Sequence, residues 1–85
     1  MVMLTSEEVA QKLTDLKMYG AEYDAQRMKM RFALNEGQVL AAYRAMQEAE
    51  RNYIELFEWL AEQGIRYFWD KERQEYVVLS SFVIK

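Results

Sequence analysis

Between residues 36 and 63 the apolar positions recur in alternating steps of four and three. Val39, Tyr43, Met46, Tyr53, Phe57 and Leu60 make up the series, and Glu50 is its one polar member. That alternation returns each side chain to one face of a helix, so it predicts a long helix over residues 36–63 with a packing seam. Gly64 follows, where a helix can close on a left-handed residue. The pattern then changes to Ile65-Arg66-Tyr67-Phe68-Trp69, and the second β-rich run covers residues 75–84. Aromatic and β-branched residues in short runs suit strands, so the C-terminal part reads as a hairpin with strands 65–69 and 75–84. Its connecting stretch, Asp70-Lys71-Glu72-Arg73-Gln74, has neither glycine nor asparagine, which argues against a two-residue turn and for a loop of about five residues.

Two helix starts follow one recipe. Thr5 with Glu8 is a T-x-x-E capping box, and Leu4 with Val9 is a hydrophobic staple across it. Asn35 with Gln38, and Leu34 with Val39, repeat the arrangement thirty residues on. The first helix is expected over residues 6–18, burying Val9, Leu13 and Leu16 and stopping near Gly20. The stretch 21–34 admits two readings. With period two, Met28, Met30, Phe32 and Leu34 share one face and Arg27, Lys29 and Arg31 the other, as in a half-buried strand. With period 3.6, Ala21, Ala25, Met28 and Phe32 align among good helix formers. The strand over 27–34 is the favoured reading. It gives a single compact α+β domain over residues 1–85: N-terminal helix, short strand, long central amphipathic helix and C-terminal hairpin, the strands forming a small antiparallel sheet. The alternative is mostly helical with only the hairpin as β structure.

Composition narrows the function more than it identifies it. A chain of 85 residues holds one modest core. It is 52% hydrophobic and lacks cysteine and histidine, so neither disulfides nor a zinc site is available as a staple and a second subunit becomes the expected stabiliser. No apolar run reaches the ~18 residues of a membrane span. Met1, Val2, Met3 and Leu4 do not make a signal peptide, so a cytoplasmic protein without a membrane partner is expected. The absence of imidazole and thiol removes the usual bases and nucleophiles near neutral pH. Ser6, Ser80 and Ser81 lie in no G-x-S-x-G turn, and carboxylate pairs such as Glu55 and Glu58 share only a helix face. The expectation is therefore no enzyme, no cofactor and no metal. Asp70, Glu72 and Gln74 alternate like calcium ligands, but without the glycine of such loops they read as a solvated turn.

Contact surfaces remain. Glu48, Glu55 and Glu62 fall seven apart with Glu58 among them, opposite the seam, with Arg44 and Arg51 one turn before two of them. They form either a solvated face or a ridge that docks on a basic partner. Trp59 lies off the seam, either covered by another element or exposed as an interface anchor. Glu50 either turns to solvent or fixes the register of a homodimer whose seam is Val39, Tyr43, Met46, Glu50, Tyr53, Phe57 and Leu60. Self-association through the strand edge of Phe82, Val83 and Ile84 is a further possibility. Arg27, Lys29 and Arg31 beside Tyr67, Trp69 and Tyr76 would suit a nucleic-acid platform, although a net charge of −3 opposes one. In size, charge and lack of catalytic apparatus the chain resembles small accessory proteins of phages and mobile elements, which inhibit or redirect host machinery. The expected function is non-enzymatic protein binding as a homodimer, with a nucleic-acid regulator or a purely structural oligomerisation domain as alternatives.

Overall fold

The computed structural model describes residues 5–79. Its elements are two long helices and a hairpin: α1 (Ser6–Arg31), α2 (Glu36–Glu62), β1 (Tyr67–Asp70) and β2 (Glu75–Val78). The fold is thus α+β, and the strand expected over 27–34 is absent. That segment is the last turns of α1 and the turn into α2.

The reason lies in what the segment has to pack on. A strand there would need a neighbouring strand and a buried face. Instead α1 and α2 run against each other as a helical hairpin, and the alternating face stays wet: Met28, Phe32 and Leu34 are all exposed, Leu34 at 90%. Gly20 does not stop α1 either. An isolated helical glycine costs about 1 kcal/mol, less than the packing that holds the helix on its neighbour. A side chain at Gly20 would lie 3.6 Å from the Tyr53 ring, so the residue marks a close approach between helices.

The helix ends follow the local chemistry. At Thr5 the capping box is closed in both directions, with Glu8 N–H donating to Thr5 Oγ1 at 3.1 Å and Thr5 N–H donating to Glu8 Oε1 at 2.9 Å. The staple partner Leu4 lies outside the described residues. At the second start Gln38 N–H donates to Asn35 Oδ1 at 2.9 Å, but the Gln38 side chain accepts from Leu34 N–H at 2.8 Å, one residue earlier than expected. The exposure of Leu34 leaves the staple with Val39 open. Helix α2 ends in a Schellman motif. Gly64, at φ +74°, donates to the Ala61 carbonyl at 3.0 Å and Ile65 donates to that of Leu60 at 3.1 Å. Leu60 and Ile65, bracketing the motif, are both buried, the contact that usually accompanies it.

Val9, Leu13 and Leu16 of α1 meet Leu60 and Ile65 in the main core, as their spacing predicts for α1. The hairpin closes one end of it. Tyr67 pairs with Val78 and Trp69 with Tyr76, and the loop spans residues 71–74. Asp70 Oδ1 accepts from the N–H groups of Glu72 and Arg73, so the loop is organised by an Asx turn in place of glycine. The part of the second strand expected over 80–84 lies outside the described residues, as do Ser80, Ser81 and the Phe82–Ile84 edge. No helix of the described residues is long and apolar enough to cross a membrane.

Candidate functional site

Helix α2 carries two adjoining apolar stripes, and only one of them is used among the described residues. The stripe facing α1 consists of Ala42, Ala49 and Leu60, which are buried, with Met46, Tyr53 and Leu56 half-buried among them. Alanines at the contact allow the two helices to approach closely. The second stripe is Leu40, Tyr43, Gln47, Glu50, Ile54 and Phe57, again in steps of three and four, and every member is exposed. Leu40, Tyr43, Ile54 and Phe57 are each between 44% and 49% exposed, which is high for large apolar side chains sharing one helix face.

The predicted seam therefore divides. Met46, Tyr53 and Leu60 turn toward α1, while Val39, Tyr43, Glu50 and Phe57 remain on the surface. Three residues that the seam omitted, Leu40, Gln47 and Ile54, complete the exposed stripe. Their signal was a second heptad series offset by one position from the first. The burial of Ala42 and Ala49 carried a weaker signal, because alanine reads first as a helix former.

Beside the C-terminal half of this stripe lies a groove of about 760 Å³ between α1, α2 and the hairpin. Gly20 and Asp24 of α1, Glu50 and Ile54 of α2, and Trp69 of β1 stand along it. Its floor is aromatic. The hydroxyls of Tyr53 and Tyr76 lie 3.1 Å apart, and Tyr76 packs edge-on to Tyr67 and Trp69 with ring centroids 5.4 Å and 4.9 Å away. Burial pushes the Tyr76 phenol above its ordinary value, assisted by the hydrogen bond with Tyr53. Burial raises Tyr67 as well, with the neighbouring Tyr53 adding to it. Both phenols stay protonated in neutral solution, and that of Tyr76 serves as a hydrogen-bonding group to Tyr53.

The remaining candidates fall into place around this face. Glu48, Glu55, Glu58 and Glu62 are exposed and make no ion pair among the described residues, where the one ion pair joins Arg73 and Glu75. Trp59 is covered: it packs against the core, and Lys12 Nζ lies 5.5 Å from its ring centroid. Arg27, Lys29 and Arg31 do not share a strand face with the aromatics. They sit in the last turns of α1, where Lys29 and Arg31 complement the helix dipole. The hairpin packs beside Thr14 and Lys17, and the groove that its Trp69 and Tyr76 line runs along α1 as far as Asp24, so Arg27 lies three residues, about 4.5 Å of helix, past the end of that groove. Tyr67 and Tyr76 are half-buried and pack edge-to-face against each other. No protein-family model matches the chain, and neither the curated proteins nor the solved structures yield a match.

Proposed function

We propose that this chain is a non-enzymatic protein-binding module that self-associates as a homodimer, and that its contact surface is the exposed stripe of α2 with the adjoining groove. The observation that supports the reading most directly is the stripe itself. Four large apolar side chains stand on one rigid helix, framed by charged residues, with no element of the described chain laid over them. A surface of that kind marks a contact site. The mode of binding would be helix against helix, in the manner of small accessory proteins that act by contact.

Light scattering on the wild-type chain and on a Tyr43→Glu/Ile54→Glu variant tests this. Both positions are exposed, so the variant keeps its helical circular dichroism and drops to the monomer mass. A variant that retains the wild-type assembly mass would show that the contact surface is elsewhere.

A second reading concerns the face of α2 that flanks this stripe on the side away from α1. The exposed glutamates at 48, 55, 58 and 62 would present a negative ridge to a basic protein. Binding of that kind weakens steeply as salt rises, because exposed charges are screened within about 8 Å at physiological ionic strength. Binding that is indifferent to salt rules the ridge out.

A further inference from the structure

The exposed stripe of α2 is the one left without a neighbour among the described residues, and its chemistry reads the same from either end, with a donor and a carboxylate at its centre. Leu40 and Tyr43 occupy the first two places, Gln47 and Glu50 the middle, and Ile54 and Phe57 the last two. We propose that a second copy of this chain packs its α2 antiparallel on this stripe, with a two-fold axis between Gln47 and Glu50, so that residue i of one copy faces residue 97 − i of the other. The inference rests on the homodimer reading above and specifies its orientation and register.

A two-fold interface must be complementary to itself, each patch meeting its own copy. In the antiparallel register Leu40 faces Phe57 and Tyr43 faces Ile54, apolar against apolar at both ends. Gln47 faces Glu50 at the centre, where an amide N–H can donate to a carboxylate that only accepts. The arrangement thus gives each Glu50 a donor across the interface. Within one copy the Gln47 amide is held at the stripe by donating to the Tyr43 hydroxyl at 3.1 Å, so it is already aligned along this face. A parallel in-register pair would do the opposite and set Glu50 against Glu50, two like charges at the centre of an apolar contact.

The shape of the chain favours the same choice. Trp69, Gln74 and Tyr76 of the hairpin stand beside Glu50, Tyr53 and Ile54, so the C-terminal half of the stripe has a wall. Around Leu40 and Tyr43 the neighbours among the described residues are those of the two helices and their turn. Antiparallel packing lays the bare half of one copy in the walled half of the other, and does so twice. Parallel packing brings the two hairpins together at one end and sets the two bare halves against each other at the other, with no hairpin wall beside them.

Cysteine cross-linking distinguishes these cases cleanly because the natural chain has no cysteine. Facing positions in such a pair approach within disulfide range, with Cβ atoms about 3.5–4.5 Å apart. A mixture of Leu40→Cys and Phe57→Cys chains is expected to oxidise to a covalent heterodimer, as is a mixture of Tyr43→Cys and Ile54→Cys, while each variant alone stays unlinked. All four positions are exposed, and retained helicity by circular dichroism confirms that the chains remain folded. A wild-type dimer mass with linkage of Leu40→Cys to itself, or with no linkage in either mixture, overturns the antiparallel register and leaves the homodimer standing. A monomer mass for the wild type at every concentration overturns both the register and the homodimer.

Discussion

Two glycines show how one residue type answers to different constraints. Gly64 has φ +74°, a conformation in which a side chain is strained by about 1–2 kcal/mol even though the space around it is open. Gly20 has ordinary helical backbone, and a methyl there would sit at normal contact distance from Tyr53. Gly64→Ala is therefore expected to lower the unfolding free energy by about 1 kcal/mol, and Gly20→Ala to raise it by about 0.5–1 kcal/mol, as read by urea titration. Only the first glycine was legible as a helix end. The second resembled one, because the sequence does not show that the opposing helix continues past it. Tyr76 supports a prediction with a sign. Its folded pKa is raised above the ordinary value of 10.0, so the folded state holds the phenolic proton more tightly than the unfolded chain does. The resulting stability is fully present below pH 10 and is lost as pH climbs from there toward the folded pKa. Thermal melts of the wild type should fall more steeply above pH 10 than those of Tyr76→Phe; parallel profiles would remove the phenol from the account.

At the scale of elements, α1 carries the largest departure from expectation. Alternation of Met28, Met30, Phe32 and Leu34 is a valid strand signal, but a strand exists only with a partner to bond to. Here the available partner was α2, whose small residues Ala42 and Ala49 face α1 and leave room for a helix. Good helix formers between residues 21 and 31 could then continue the helix for three more turns. The elements with closed local chemistry needed no such partner. Thr5 with Glu8, Asn35 before Gln38, and Gly64 before Ile65 bounded their helices where their hydrogen bonds could be completed nearby. The junction of α1, α2 and the hairpin rests on a few fully buried side chains, Leu16 and Leu60 chief among them. Truncating either to alanine should cost about 2–5 kcal/mol, a large share of the ~5–15 kcal/mol that holds a typical domain folded. Calorimetry should show both variants melting well below the wild type, whereas Leu40→Ala, outside this core, should leave the melting temperature of a dilute sample nearly unchanged.

The molecule as a whole is elongated. Its radius of gyration is 15.7 Å, against about 12 Å for a compact chain of this length. The extra length is the helical hairpin beyond the reach of the β-hairpin, where Phe32, Leu34 and Leu40 stay exposed. A shape this open buries less apolar surface than its composition would allow and leaves apolar side chains available for the proposed contact between chains. The proposed dimer makes that measurable. Its melting temperature should rise with protein concentration, since dimerisation favours the folded state by mass action. A midpoint that does not move over a hundredfold dilution would contradict it.

What the sequence determined by itself was local: where both helices begin, where α2 ends, which side chains of the first α1 turns are buried, and that a hairpin with a longer loop follows Gly64. Each depends on interactions within a few residues, so the information lies next to the structure it specifies. The seam on α2 was only half determined. A heptad pattern states that a helix has an apolar arc, and α2 has an arc wide enough for two stripes. Which stripe meets α1 was decided by the tertiary structure, through the fit of Ala42, Ala49 and Leu60 against the neighbouring helix. That choice left Leu40, Tyr43, Gln47, Glu50, Ile54 and Phe57 facing outward. The candidate contact surface exists because a helix with two apolar stripes had one helical neighbour to bury them.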